Sequence, residues 1–272
     1  MEHYVELGGL RTWYGEQGAG DPLVALHPGL VDARAFGPAL AVWSARFHTF
    51  TPERRGHGHT RDVVGPLTFE QMAADTVAFI ETVVGRPTRL LGVSDGAIVA
   101  LVTAVRRPDL VTRLVAIAGP AHHQGWLPEA IDPANEAPAL MHQAYGEVSP
   151  DGIGHYPVVL AKMAQTHLVE PTLTPADLGR IGCRTLVMMG DDDEVRLEHA
   201  VEMYRALPDG ELAVVPGSSH GLLVEKPELC NQIILDFLEG EAVATVAPIR
   251  RRERRDPTPA GRAWVALGSA SG

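Results

Sequence analysis

The sequence predicts an α/β fold: a mostly parallel β-sheet flanked by helices, with a helical insertion near the middle of the chain. Three observations carry this. Short apolar runs alternate with segments of helical spacing, and strands that are apolar on both faces belong to parallel sheets covered on both sides. Between residues 120 and 180 the alternation stops, and Pro128, Pro133, Pro138, Pro150, Pro157, Pro171 and Pro175 separate short helical pieces. A length of 272 residues with 45% hydrophobic and 21% charged content suits one globular core rather than two.

The elements follow in order. Val5 to Leu7 and Arg11 to Glu16 flank Gly8-Gly9 as a hairpin. Asp21-Pro22 turns the chain into the apolar strand Leu23-Val24-Ala25-Leu26-His27, which ends in Pro28-Gly29-Leu30. Ala33 to Arg46 has helical spacing, and a strand starts at Phe47 to Phe50. A glycine-punctuated loop, Glu53-Arg54-Arg55-Gly56-His57-Gly58-His59-Thr60, comes next. Thr68-Phe69-Glu70-Gln71 reads as a capping box; Phe69, Met72, Ala73, Thr76, Phe79, Ile80 and Val83 form the buried face of the helix it opens. Strands at Arg89 to Val93 and Arg113 to Ala118 bracket a helix that runs to about Arg107. Beyond the insertion come the strand Thr185 to Gly190, a helix near Glu198 to Leu207, the strand Leu212 to Val215 and a last helix from about Pro227 to Leu238. The core thus covers 1–119 and 181–240, the insertion 120–180, and a tail 241–272 that is read as disordered and basic.

Charge narrows the partners. The net charge is −11, and the first 240 residues carry 17 basic against 31 acidic side chains, a body that repels nucleic acid and anionic membrane. Met1-Glu2-His3-Tyr4 lacks the basic and apolar regions of a secretory signal, and no apolar run approaches the roughly 18 residues that span a bilayer. Cys183 and Cys230 have no metal-type spacing, so a reduced, cytoplasmic setting is expected. His57, His59 and the pair His122-His123 lack a carboxylate or thiolate at ligand spacing, and no metal is expected.

The chemistry centres on Gly92-Val93-Ser94-Asp95-Gly96, where an apolar strand turns sharply into the helix that starts Ala97-Ile98-Val99. A serine at such an apex has strained backbone angles, and glycines two residues to either side remove side chains that would collide with strand or helix. The turn presents the Ser94 hydroxyl, and it sets the Asp95 amide at a helix N-terminus, where it can donate to a developing oxyanion. A serine nucleophile needs a base, and the base an orienting acid. Asp191-Asp192-Asp193 follows one later strand and His220 follows the next, in Pro216-Gly217-Ser218-Ser219-His220-Gly221.

The order Ser, Asp, His resembles that of the α/β-hydrolases and not that of chymotrypsin-like or subtilisin-like enzymes. From about residue 5 to 239 the chain looks like a lid-bearing α/β-hydrolase, with 120–180 as the lid. The resemblance selects Asp193 as the acid, through the pattern Gly190-Asp191-Asp192-Asp193. It also implies the Gly29 N–H, in His27-Pro28-Gly29, as the second oxyanion donor. Pro28 departs from the glycine usual there, and Glu53 departs from the usual Asp-x-Arg-Gly pattern. Read from the residues, a carboxylate at that helix N-terminus is first of all capping chemistry. The Ser94-Asp95-Gly96 elbow also resembles that of the valacyclovirase-like (biphenyl hydrolase-like) serine hydrolases, which implies the alternative that Asp95 takes the α-amino group of an amino-acid ester. Seven acids against only Lys162 and Arg180 in 120–180, where five of the 12 histidines also lie, favour the same cationic ligand. Asp95, Leu30, Trp126 and Tyr145 are the candidates for contacting substrate.

The expected activity is therefore hydrolysis of a small-molecule carboxylic ester, lactone or activated amide. Ser94 is the nucleophile, His220 the base, Asp193 the orienting acid, and Gly29 and Asp95 are the oxyanion donors, with no cofactor. Alternatives are a cofactor-free perhydrolase or haloperoxidase activity, for which Pro28 is suggestive, and a ligand-binding homologue without catalysis. A Rossmann dehydrogenase is disfavoured because the Gly-x-Gly-x-x-Gly turn is absent after the first strands.

Overall fold

The computed structural model describes residues 1–241 apart from 133, 136 and 137, together with residue 247. The tail expected over 241–272 falls, but for residues 241 and 247, outside the described residues. The chain divides into two compact units, Met1–Ile234 and Leu235–Gly272. The sheet and the insertion lie in the first, and the last helix, Pro227–Glu239, crosses the boundary.

Eight strands form one sheet in the order β1-β2-β4-β3-β5-β6-β7-β8. The hairpin β1 (Glu2–Leu7) and β2 (Leu10–Gln17) supplies the antiparallel edge, joined to β4 (His48–Pro52). From β4 onward all pairings are parallel, through β3 (Pro22–Leu26), β5 (Thr88–Val93), β6 (Val111–Ile117), β7 (Arg184–Asp192) and β8 (Gly210–Ser219). All parallel strands therefore present their C-terminal ends along one edge, the edge at which open α/β sheets bind ligands. The central strands read as continuous apolar runs because both faces are covered: Leu23, Val24, Ala25 and Leu26 are all fully buried.

The helices before the insertion are α1 (Gly37–Ser44), preceded by a 3₁₀ turn at Ala33–Phe36, α2 (Phe69–Phe79) and α3 (Asp95–Arg106). The helical spacing over 33–46 is thus split, since Gly37 with φ 48° breaks the run where a 3₁₀ turn hands over to helix. The box expected at α2 is half formed: Thr68 Oγ1 accepts the Gln71 N–H at 3.1 Å. A complete box stands instead at Thr174 and Asp177. The buried face of α2 is Phe69, Met72, Ala73, Thr76 and Phe79, with Ile80 beyond it and Val83 half-buried against the core.

Between β6 and β7 the chain runs through α4 (Ala139–Val148), α5 (Tyr156–Val169) and the short α6 (Pro175–Leu178). Its two ends are clamped together: His122 bridges Thr172 antiparallel, Leu173 N–H donates to the Ala121 carbonyl at 2.9 Å, and His123 N–H to that of Pro171 at 2.7 Å. Further ties fasten it to the body. Arg34 reaches Glu147 at 2.8 Å, Lys162 and His155 both reach Asp62, and Glu170 accepts the first amide of α2 at 2.8 Å. After β7 come α7 (Leu197–Ala206), then, beyond β8, α8 (Leu222–Glu225) and α9 (Pro227–Glu239).

Candidate active site

Ser94 sits between the last residue of β5 and the first of α3, with φ 55° and ψ −122°. A non-glycine residue adopts that conformation only under strain that its surroundings over-determine. The flanking glycines have a steric cause: a Cβ on Gly92 would run into the Gly96 carbonyl, and one on Gly96 into the Leu26 carbonyl. Helix and strand can approach this closely only without those side chains.

His220, 126 residues on, follows β8 and brings its Nε2 to 2.9 Å from Ser94 Oγ. Its Nδ1–H donates to Asp193 Oδ1 at 2.8 Å. Asp193 is buried just past the end of β7, fixed by the amides of Gly190 on Oδ2 at 3.1 Å and Val195 on Oδ1 at 3.2 Å. Asp191 and Asp192 are exposed, and Asp191 accepts the Ser218 N–H at 3.0 Å. Three adjacent aspartates are thus sorted by the strand's end into one inward and two outward carboxylates. Burial alone would lower the His220 pKa. The hydrogen bond to Asp193, together with the charges of Asp193, Glu194 and Asp95, outweighs it and raises the pKa above the usual value. Glu194 Oε2 stands 3.7 Å from His220 Nε2.

The Asp95 amide opens α3 and has no intrahelical acceptor. The amides of Gly29 and Leu30, in the turn after β3, donate to no backbone carbonyl among the described residues. Leu30 adopts φ 60° and packs half-buried on the core. The loop is held from behind by Arg54, whose buried guanidinium donates to the carbonyls of His27 and, at 2.9 Å, Pro28. His27 completes the brace, its Nε2 accepting the Arg54 N–H at 3.1 Å and its Nδ1–H donating to the Pro28 carbonyl at 2.7 Å. Burial, with Arg54 and His57 nearby, holds His27 well below its usual pKa, so it stays neutral. Glu53, the departure in that loop, accepts the N–H of His59 at 2.6 Å and of Ala33 at 3.2 Å, plus the His59 ring at 2.9 Å. His57, also buried, donates to the Arg55 carbonyl at 2.9 Å.

The Asp95 side chain is buried, and its Oδ1 is taken by His167 Nε2–H at 2.7 Å; its Oδ2 lies against Gly29, whose Cβ, if it had one, would collide with it. The amine expected at this carboxylate meets one oxygen already engaged and another sealed from solvent. Trp126 is brought to the site, its ring 5.9 Å from His220 and 5.8 Å from His167. The cause is local pairing: Trp126 bridges Val195, Leu127 N–H donates to the Glu194 carbonyl and Arg196 N–H to that of Gly125, both at 2.8 Å. Tyr145 is buried against Tyr156, ring centroids 5.3 Å apart, and among the described residues no contact joins it to Ser94 or His220. Sequence reasoning missed His167, Arg54 and His27. His167 carried one signal, its place on the α5 face that buries Tyr156, Val159, Met163 and Thr166.

This fold, a mostly parallel sheet with a serine elbow at its ligand-binding edge, is that of the α/β-hydrolases. The chain belongs to the Alpha/beta hydrolase family, whose profile matches residues 23–233. It is 26% identical over 255 residues to the (E)-2-((N-methylformamido)methylene)succinate hydrolase of Acinetobacter baylyi, covering 86% of this chain and 97% of that one. It is also 26% identical over 257 residues to the human serine hydrolase BPHL, covering 86% and 85%. Among solved structures, the serine hydrolase of carbazole degradation, CarC, superposes with a TM-score of 0.75 at 20% identity, over 89% of this chain and 99% of that one. Among the described residues no helix is long and apolar enough to cross a membrane.

Proposed function

We propose that the protein is a serine hydrolase that cleaves a carboxylic ester, lactone or activated amide through an acyl-enzyme. One observation carries the reading: His220 joins Ser94 Oγ at 2.9 Å to Asp193 at 2.8 Å through its two ring nitrogens. Asp193 fixes the tautomer that leaves Nε2 free to accept the Ser94 proton as Oγ attacks the carbonyl carbon. The negative charge that forms on the carbonyl oxygen is met by the Asp95 amide and an amide of the Gly29 turn, donors that need no reorganisation during the step. His220 returns the proton to the leaving oxygen or nitrogen, and the acyl–Oγ bond remains. Water, deprotonated by His220, then attacks the acyl carbon and releases the acid and Ser94. The insertion over 120–180 is the lid in this reading, with Trp126 as a lid residue whose ring stands 5.9 Å from that of the base.

A fluorophosphonate probe followed by peptide mapping tests the assignment. The label should appear on the peptide that holds Ser94 and be absent from Ser94→Ala. Labelling of a different serine, or none in a folded protein, rejects the reading.

A further inference from the structure

The residue after the nucleophile carries a carboxylate, and a helix of the insertion reaches down to it. Asp95 Oδ1 accepts the His167 Nε2–H at 2.7 Å, and the His167 ring keeps 18% of its side-chain surface exposed. Its other nitrogen, Nδ1, has no hydrogen-bond partner among the described residues and is not sealed from solvent. Trp126 stands within ring-contact range of both His167 and His220, so the His167 ring belongs to the same cluster as the His220 ring. Phe69 covers His167 with ring centroids 5.8 Å apart.

The charges decide what such a nitrogen would meet. Burial works to raise the Asp95 pKa, but His167 and the buried Arg54 outweigh it and hold the carboxyl below its usual value, with Oδ1 engaged by His167. The acids of the insertion are largely spent on structure. Glu147 pairs with Arg34, Asp151 with Arg61, Asp177 with Arg180, and Glu170 accepts the first amide of α2. Glu194, half-exposed beside His220, is a further carboxylate that opposes an anion there.

We propose that His167, oriented by Asp95, is a specificity-determining residue that donates its Nδ1–H to a carboxylate on the acyl part of the substrate. The inference rests on the serine hydrolase reading and adds the substrate class: esters whose acyl group ends in a carboxylate. Asp95 is a positioning residue, acting through His167. The charges that face His167 are Asp95 from α3 and Glu194 from the loop after β7. Burial opposes protonation of the ring, and these two carboxylates outweigh it and raise its pKa above the usual value.

The test compares kcat/KM for monoethyl succinate, ethyl butyrate and the ethyl ester of β-alanine, which place a carboxylate, a methyl and an ammonium group at the same distance from the carbonyl. The expected preference for the succinate ester over the butyrate is at least about tenfold near pH 6.5, the scale of one charge-assisted hydrogen bond. His167→Gln keeps a donor for Asp95 and removes the cation. It should cut that ratio about tenfold, mainly through KM. Glu194→Gln should enlarge the ratio. In the wild type the ratio should fall as pH rises through the elevated His167 value, because His220 serves both esters and cancels. A ratio near one, a fastest β-alanine ester, or a ratio indifferent to both His167→Gln and pH overturns the proposal. Turnover of none of the three while Ser94 still takes the fluorophosphonate label rejects the carboxylate assignment alone. No turnover with Ser94 unlabelled rejects the hydrolase reading with it.

Discussion

Asp193 Oδ1 accepts the His220 Nδ1–H at 2.8 Å, while Asp191, two residues earlier, turns outward to the Ser218 amide at 3.0 Å. The two carboxylates differ in function because β7 ends between them. Asp193→Asn should lower kcat/KM on a simple ester by on the order of 10³- to 10⁴-fold, since an amide favours the wrong imidazole tautomer and cannot stabilise the imidazolium. Asp191→Asn and Asp192→Asn should change it only a fewfold. Steady-state kinetics on the three variants decide the matter, and a worst effect from Asp191→Asn would sink the assignment of the acid.

In the proposed acyl-enzyme reaction Ser94 and His220 act in one proton transfer, so their losses should not add. Ser94→Ala and His220→Ala should each cost on the order of 10⁴-fold or more in kcat with the fold retained, and the double variant should be no worse than either. A purified Ser94→Ala that keeps near-wild-type turnover is incompatible with an acyl-enzyme on this residue.

The base must be neutral to work, and its pKa lies above the ordinary histidine value of 6.5. Burial works against protonation, but Asp193, Glu194 and Asp95 together outweigh it. For a neutral ester, kcat/KM should therefore rise with pH along a limb whose midpoint lies above 6.5. Removing one contributor with Glu194→Gln should move that midpoint down. An unmoved midpoint would mean that the half-exposed Glu194 is screened by solvent.

The sheet and the serine elbow were legible in the sequence because each depends on a local rule. Two-sided burial makes strands such as Leu23 to Leu26 read as apolar runs, and the steric demand at the elbow fixes Gly92 and Gly96. Strand ends and chain order pointed to His220 and to the run Asp191 to Asp193, and it was the resemblance to the α/β-hydrolases that chose Asp193 among the three. Their surroundings were not legible, since His167 meets Asp95 across 72 residues and Arg54 meets His27 across 27, with no spacing in the chain that records either contact. The charge argument for a cationic ligand weakened for the same reason. A tally of acids in 120–180 cannot show that Glu147 faces Arg34 or that Asp151 faces Arg61. Tyr145, a candidate for contacting substrate, packs on Tyr156 where α4 meets α5, a contact that no spacing in the chain records.

Arg54 offers the sharpest test of how the oxyanion turn is held. Burial pushes its pKa down to about 10, so it remains charged at neutral pH, and its guanidinium donates to two consecutive carbonyls, of His27 and Pro28. With both carbonyls turned toward Arg54, the peptide that follows them is fixed in direction, and the amides of Gly29 and Leu30 donate to no backbone carbonyl among the described residues, as the proposed oxyanion role requires. Arg54→Met, similar in length, strips both carbonyls of their donor and removes one of the cations that balance Asp95. Loss of one partner from a buried charged set costs about 3 kcal/mol or more of stability. A misplaced oxyanion donor costs on the order of 10²-fold in kcat. Arg54→Lys keeps the charge as a single point that cannot fork to both carbonyls, so it should recover more of the stability than of the kcat. Chemical denaturation and kcat, measured on the same preparations, separate the two effects. If Arg54→Met loses stability but keeps kcat on a simple ester, the guanidinium is a structural brace and the turn holds its amides without it.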